Sequence, residues 1–126
     1  MTARLGAMKP LAVHHVSINV DDVEAALRFY TDTLGLEQRT DRPDFPFGGA
    51  WLDIGGQQVH LIEGTVPPGH GQHFAILVDD LEETVAELRG EGVEVSDPRP
   101  VGTSRQAFVS DPSGNLIELH QPNYAG

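Results

Sequence analysis

The sequence contains no cysteine, one lysine and few aromatic residues. Because cysteine is missing, neither a disulfide bond nor a thiolate metal ligand can form. Eight basic residues stand against 19 acidic ones, which gives a net charge of −11 at pH 7. Nucleic acids and anionic membranes both require a basic face on the protein, so neither is expected as a partner.

Long apolar runs are missing as well. No stretch approaches the roughly 20 apolar residues that a membrane-spanning helix needs. Residues 1–10 lack the apolar stretch of a signal peptide, and we expect a disordered leader there and a cytoplasmic location. The 126 residues are enough for one domain, or for two fused half-domains, with a modest core.

Two stretches of the chain resemble each other, HHVSINVDD and HFAILVDD. They align at an offset of 58, since His15 of the first plus 58 is His73, which begins the second. The same offset places Trp51–Glu63 over Val109–Gln121, so that His60 falls on Glu118. A constant offset over most of the chain indicates an internal repeat.

Each repeat predicts a strand, a helix and then three strands. In the first repeat we expect a strand at 12–20 and a helix at 23–34, capped by Asp21 or Asp22 and ended by Gly35. Further strands are expected at about 37–42, 50–54 and 58–62, and the second repeat follows the same order, with DPSGN as its hairpin turn.

The predicted fold class is α+β, with two βαβββ modules forming a cupped mixed sheet that carries its helices on the outer face. A segment rich in glycine and proline separates the modules and is interpreted as a linker. The predicted divisions are a leader at 1–10, a first module at 11–63, a linker at 64–72, a second module at 73–122 and a tail at 123–126.

Alternation along the strands decides which side chains share a face. In the first strand the apolar residues must cover the helix, which leaves His15, Ser17 and Asn19 on the concave face. The same argument turns the equivalent residues of the other strands inward. Four polar residues are therefore predicted at equivalent positions: His15, His60, His73 and Glu118.

Three neutral imidazoles and a carboxylate suit a divalent first-row metal, and we expect one such ion per site, zinc, nickel, cobalt, manganese or iron. For any one of these residues alone, an ordinary hydrogen-bonded side chain is the alternative. The shared offset favours a metal site for the four together.

Aromatic residues make up only 6% of the chain, yet three of them fall in one short segment. We expect this segment to line a pocket for a small-molecule substrate, with core packing as the alternative. Arg105 is either a contact for an anionic substrate group or a solvated side chain. The predicted pocket residues are Ser17, Asn19, Phe45, Phe47, Trp51 and Arg105.

The motifs HHVSINVDDVEAALRFYTDTLGL and DPSGNLIELHQP resemble those of the vicinal oxygen chelate superfamily, over about 11–122. That superfamily includes glyoxalase I, methylmalonyl-CoA epimerase, extradiol dioxygenases, fosfomycin-resistance thiol transferases and bleomycin-binding proteins. Its metal ligands fall on the four residues named above. The resemblance implies a homodimeric, metal-dependent lyase or isomerase that acts on a small oxygen-bearing substrate through an enolate or oxyanion.

Two other activities are implied by the same resemblance. An Fe(II) extradiol-type dioxygenase would use His15, His73 and Glu118, with His60 off the metal. A small-molecule-binding resistance protein of the bleomycin-binding type is the non-catalytic alternative. Asn19 stands where glyoxalase I has an arginine that holds glutathione, which argues against glutathione itself.

By analogy with glyoxalase I, Glu118 is the candidate catalytic base. His120 has the same strand parity and is predicted as a second catalytic residue, either a base or a partner of Glu118. Asp53 is a weaker candidate, because it precedes a Gly-Gly pair and is expected to cap that turn.

Overall fold

The computed structural model describes residues 8–123. Most of the predicted leader and nearly all of the predicted tail lie outside this range, and residues 8–14 form no helix or strand. No helix within the described range is long and apolar enough to cross a membrane. The elements, in chain order, are β1 (His15–Val20), α1 (Val23–Arg28), a π-helical segment (Phe29–Thr33), β2 (Glu37–Gln38), β3 (Gly49–Ile54), β4 (Gln57–Glu63), β5 (Phe74–Leu77), α2 (Leu81–Gly90), β6 (Arg99–Val101), β7 (Ser104–Ser110) and β8 (Leu116–Gln121).

The strands form two four-stranded sheets with the same internal order, β1-β4-β3-β2 and β5-β8-β7-β6. In each sheet the first strand pairs in parallel with the last strand of its module, and the other pairs are antiparallel. The α+β class and the two βαβββ modules are confirmed. Within residues 8–123, β1 and β5 each have one edge without a strand partner.

Both helices begin at an aspartate that caps the first turn. Asp22 accepts a hydrogen bond from the backbone N–H of Ala25 at 3.1 Å, and Asp80 accepts one from Glu83 at 3.0 Å. These bonds satisfy N–H groups that have no partner within the helix. Asp21, the other candidate cap, instead accepts a hydrogen bond from Ser113 of the second module.

The first helix and two strands differ from their predicted lengths. The α-helical part of the first helix ends at Arg28 and continues as a π-helical segment, in which the N–H of Leu34 donates to the carbonyl of Phe29. β1 begins at 15 rather than 12, and β2 ends at 38 rather than 42. Prolines soon after β2, the first at Pro43, lack the N–H that strand pairing needs.

Alternation along the strands is confirmed in both modules. Val59 and Leu61 are 1% exposed beneath the first helix, and Ile117 and Leu119 are buried in the same way in β8. Their polar neighbours therefore point to the opposite side of each sheet, which we call the open face because neither helix covers it.

The structure corrects the alignment of the repeats in one strand. Trp51 pairs with His60 across the β3–β4 hairpin, and Phe108 pairs with Glu118 across β7–β8. Trp51 therefore corresponds to Phe108, at an offset of 108 minus 51, or 57, and not to Val109. Trp51 and His60 are nine positions apart, whereas Phe108 and Glu118 are ten apart, so the second hairpin contains one extra residue between these pairs. A slip of one residue exchanges the two faces of a strand. Val109 accordingly lies in the core.

Hydrogen bonds join the two modules beside the β7–β8 turn. The hydroxyl of Tyr30, at the π-helical segment, donates to Asp111 Oδ2 at 2.8 Å, and both residues are buried. Burial first, and then the charge of Asp111, raise the pKa of the Tyr30 hydroxyl. Asn115 Nδ2 also donates to the backbone carbonyl of Asn19 at 2.9 Å. The turn therefore fixes the end of β1 as well as its own hairpin.

Gly49 lies where β3 passes close to β4. A Cβ atom at this position would stand 2.3 Å from the carbonyl oxygen of Leu61, which is backbone and cannot rotate away. We expect Gly49→Ala to lower the free energy of unfolding by about 2–3 kcal/mol, measured by urea denaturation. Gly56→Ala is the matched control, since no atom lies within 4 Å of its Cβ position. Equal stability of the two variants would contradict the expectation.

Candidate functional site

The open face of the first sheet carries a stack of three rings. The His60 ring lies 3.9 Å from that of His15, at 15°, and 4.3 Å from that of Trp51, at 9°. The strand order explains this arrangement, because β4 lies between β1 and β3. Stacking leaves His60 only 8% exposed, whereas His15 stays exposed at the edge strand.

Two polar contacts flank this stack. Gln58 Oε1 lies 2.8 Å from His60 Nε2, and Asp53 Oδ1 accepts a hydrogen bond from Arg39 Nη1 at 2.8 Å. Asp53 thus forms an ion pair instead of capping the Gly-Gly turn, and that prediction was wrong. Gln58 was missed, although its position two residues before His60 places it on the same face.

The open face of the second sheet holds Glu118 between two histidines. Its Oε1 lies 2.9 Å from His73 Nε2, and its Oε2 lies 2.8 Å from His120 Nδ1. His73 Nδ1 donates to the carbonyl of Gly71 at 2.8 Å, which fixes the ring with Nε2 toward the carboxylate. Phe108, which was not predicted, packs edge-on against His73 at 5.4 Å. Phe108 could have been identified from the hairpin register, which pairs it with Glu118.

The pKa values of two predicted ligands shift in opposite directions. The hydrogen bond to Gly71, and then the Glu118 carboxylate, raise the pKa of His73 above its ordinary value. Burial, and then the neighbouring His15, lower the pKa of His60. At neutral pH the first sheet therefore favours a neutral imidazole, the form that binds metals, while the second sheet holds a histidine–carboxylate pair.

In the metal-free protein we expect His60 to titrate below 6.5 and His73 above it, as measured from their imidazole resonances in an NMR pH titration. The stabilisation from His73 is fully present below its unfolded pKa and is lost as pH rises through the raised folded value. The stabilisation from His60 has the opposite sign, because it is present above its unfolded pKa and is lost as pH falls through the depressed one. The reverse order of the two midpoints would refute the assigned contacts.

The four predicted ligands lie in two pairs, one on each sheet. His15 and His60 are neighbours, as are His73 and Glu118. Across residues 8–123, no three His, Asp or Glu side chains are grouped so that they could hold a metal ion. The donor chemistry of each pair suits a divalent metal, and a His73 ring fixed through Nδ1 by a carbonyl is typical of metal-binding histidines. Each pair alone offers only half of a ligand set.

The predicted pocket residues fall in three places. Trp51 is part of the ring stack of the first sheet, and Phe45 and Phe47 lie beside it. Ser17 and Asn19 line a separate cavity of about 590 Å³, which β1 forms with residues 67–69 and 71–74, the predicted ligand His73 among them, and with the β7–β8 turn.

Arg105 lies neither with the aromatic rings of the first sheet nor in the lining of that cavity. It forms an ion pair with Glu82 at the start of α2, at 2.8 Å, and its side chain is 22% exposed. In β7 it alternates with Phe108 and shares the parity of the buried Ala107, so it lies on the side that the helix covers. A role in contacting substrate from the open face does not fit this position.

Residues 12–119 match the family model of the Glyoxalase/Bleomycin resistance protein/Dioxygenase superfamily. A probable lactoylglutathione lyase from chloroplasts of Arabidopsis thaliana is 35% identical over 120 residues, which cover 83% of this chain but 34% of the relative. The chain therefore spans only part of that protein. A probable lactoylglutathione lyase from Vibrio cholerae is 31% identical, with 88% of this chain and 91% of the relative covered.

Among solved structures, the chain resembles TnmS3, an antibiotic-binding protein from a Streptomyces species. The TM-score is 0.77 at 32% sequence identity, and the match covers 92% of this chain and 99% of TnmS3. Both the sequence match and the shared fold extend over nearly all of the described residues. The chain belongs to the Glyoxalase/Bleomycin resistance protein/Dioxygenase superfamily, also called the vicinal oxygen chelate superfamily.

Proposed function

We propose that the protein is a metal-dependent lyase or isomerase of the glyoxalase type, acting on a small oxygen-bearing substrate through an enolate or oxyanion. The observation that carries this proposal is the equivalence of the two half-sets of ligands. His15 with His60 and His73 with Glu118 occupy matching positions, on or next to matching strands of the two sheets. The relatives named lactoylglutathione lyase support the reaction class.

We further propose that one complete site forms between two copies of the chain. The two half-sets do not meet within residues 8–123. Each half-set includes a histidine at the start of β1 or just before β5, and both strands lie at the edges of their sheets. A homodimer with twofold symmetry would then hold two equal sites, each with three imidazoles and one carboxylate.

Each residue of this site has a role that its contacts support. His15, His60, His73 and Glu118 would hold the divalent ion, which when bound polarises a substrate oxygen as a Lewis acid. Glu118 accepts the proton from substrate carbon, because its carboxylate is nearly buried and held on both sides by histidines. His120 Nδ1 donates to Glu118 Oε2 and so orients that base.

Metal binding tests the proposal directly. We expect the purified wild-type protein to bind a divalent ion, measured by elemental analysis and by calorimetric titration with Zn²⁺, Ni²⁺ and Mn²⁺. His73→Ala and Glu118→Gln should each weaken the affinity by about 100-fold or more, since the first removes a ligand nitrogen and the second replaces a charged carboxylate ligand with a neutral amide. His70→Ala, in the exposed linker, is the matched control and should not change the affinity. A wild-type protein that refuses all three ions would refute the proposal.

We expect the reaction that the protein catalyses to depend on which metal ion it binds. Conversion of a hemithioacetal in the zinc or nickel form is the expected result. Oxygen consumption with a catechol, confined to the Fe(II) form, would instead identify a dioxygenase. One observation favours that second candidate: His60 Nε2 is engaged by Gln58, and a triad of two histidines and one carboxylate would leave His60 off the metal.

A further inference from the structure

The cavity of about 590 Å³ lies at the edge of β1 and not over one of its faces. Four consecutive residues of the strand, 16–19, line it. Successive side chains of a strand point to opposite faces, so a cavity that all four residues line must face the edge of the strand, where the backbone is. Among the described residues β1 pairs only with β4, and this edge has no strand partner. Backbone groups of β1 therefore form part of the cavity wall.

The hydrogen bonds around β1 show which backbone groups face the cavity. The carbonyl of Val20 accepts a hydrogen bond from the N–H of Gly64, just after β4, so residue 20 directs its backbone groups toward that strand. Alternate residues of a paired strand point the opposite way, so the groups of Ser17 and Asn19 are directed away from β4. The Asn19 carbonyl confirms this direction, because it accepts a hydrogen bond from Asn115 Nδ2 at 2.9 Å. Ser17 therefore presents both its N–H and its C=O to the cavity.

Only a short part of this edge is open. Besides the contact of Asn115, the N–H of Asp21 donates to Ser113 Oγ at 3.0 Å, so the β7–β8 turn already occupies the end of the edge. Pro67 and Pro68 also line the cavity, and neither has an N–H for strand pairing. The part that remains open is too short for an added strand from another chain, and it suits a small molecule.

The lining of the cavity favours an uncharged ligand. Among the described residues that line it, none is Asp, Glu, Lys or Arg, although these types make up 21% of the chain. His73 is the ionisable side chain in this lining, and its two ring nitrogens are engaged by the Gly71 carbonyl and by Glu118. A charged ligand would lose its hydration in the cavity without gaining an opposite charge.

We propose that this cavity binds an uncharged cyclic amide, or a related group with its N–H and C=O on the same side of the amide bond, through the backbone of Ser17. In an extended strand the N–H and C=O of one residue point the same way, so such a ligand can form two hydrogen bonds at once. The edge already pairs with an amide, since the carboxamide of Asn115 donates to it. His73 lines the same cavity, so the ligand lies beside one half-set; its assignment as part of the substrate rests on the proposed function.

Three probes of similar size test the proposal by NMR titration of the metal-free protein. ε-Caprolactam has the paired N–H and C=O, N-methylcaprolactam lacks the N–H, and cyclohexanecarboxylate carries a charge. We expect caprolactam to bind at least about fivefold more tightly than its methylated form, because one hydrogen bond is lost. The carboxylate should bind at least about 10-fold more weakly than caprolactam. Caprolactam should shift the backbone amide resonances of Ser17 and Asn19 more than those of the rest of the chain.

Two variants of one residue separate the backbone group from the side chain. Ser17→Pro removes the N–H and should weaken caprolactam binding by about fivefold or more. Proline is accepted in an edge strand where the N–H points away from the neighbouring strand. Ser17→Ala is the matched control, because it keeps the N–H and removes only the hydroxyl, and it should leave the affinity unchanged. If Ser17→Pro does not fold, the amide shifts of the wild-type protein decide the question.

The inference is overturned by equal binding of caprolactam and its methylated form, by no binding of either, or by shifts that spare Ser17 and Asn19. Tighter binding of the carboxylate would overturn the uncharged class of ligand. Caprolactam binding by a protein that binds no metal would refute only the proposed function. Metal binding without caprolactam binding would refute only the amide-binding cavity.

Discussion

Asp111→Ala should lower the free energy of unfolding by about 4 kcal/mol and the Tm by about 12 °C, the largest loss of stability expected from one substitution here. Asp111 is 4% exposed and accepts hydrogen bonds from the Tyr30 hydroxyl, from the backbone N–H groups of Ser113 and Asn115, and from Asn115 Nδ2. Removing the carboxylate leaves the buried hydroxyl and the turn donors without their acceptor. Thermal and urea unfolding measure the loss.

Two further variants locate the cause of that loss. Tyr30→Phe keeps the ring and removes one hydrogen bond, and should cost about 1–2 kcal/mol because Asp111 retains its donors from the turn. The double variant should lose less than the two single changes together, since both remove the same bond. Ser110→Ala, exposed and next to Asp111, is the control and should change stability by less than about 0.5 kcal/mol. An Asp111→Ala protein as stable as this control would show that the turn does not join the modules.

Strand faces and helix starts were predicted correctly from the sequence, because each depends on a pattern of neighbouring residues that has one local geometry. The alternation of Val59, His60 and Leu61 assigns opposite faces to its residues, and the buried and open faces are as predicted. The helix starts are equally local, because a cap depends on one side chain and the two or three residues after it. Asp22 and Asp80 could therefore be predicted as caps, although only the structure excludes Asp21.

The alignment of Trp51 with Val109 failed for a different reason. A repeat offset is a property of the chain, whereas the register of a hairpin depends on the length of its turn. The single extra residue in the β7–β8 hairpin is invisible in the aligned letters, yet it moves Phe108 onto the open face beside His73. The alternation of apolar and polar residues along β7 does predict the correct register, because it places Val109 with the apolar residues that face the core.

Contacts between distant segments could not be predicted from spacing alone. No sequence pattern indicates that Tyr30 contacts Asp111. The contact depends on the π-helical segment that positions the Tyr30 hydroxyl, and the amino-acid composition of this segment does not predict a π-helix. The ion pairs of Arg39 with Asp53 and of Arg105 with Glu82 likewise depend on strand order and packing. The two half-sets of ligands are a similar case. The sequence indicates that they are equivalent, but it does not indicate that they lie apart within one chain.

That separation leads to the prediction with the largest expected effect on function. Consider a chain with His15→Ala and His60→Ala, and a second chain with His73→Ala and Glu118→Gln. Homodimers of either chain should bind no metal at the site, because every site lacks one half-set. If each site joins the first module of one chain to the second module of its partner, the heterodimer has one site with all four ligands and one with none. It should bind one ion per dimer.

The opposite pairing provides the control. A heterodimer of the wild-type chain with a chain that carries all four substitutions has a complete set within one chain but never across the two. It should bind no ion at this affinity if the site is shared, and one ion if the site lies within a chain. Differently tagged chains, purified through both tags and analysed for bound zinc, give the two counts. A shared site predicts one ion in the first heterodimer and none in the second, and a site within one chain predicts the reverse. Instability of a variant chain would reduce binding but would not produce either of these opposite patterns. One ion in the second heterodimer and none in the first would place the site within a single chain and refute the shared arrangement.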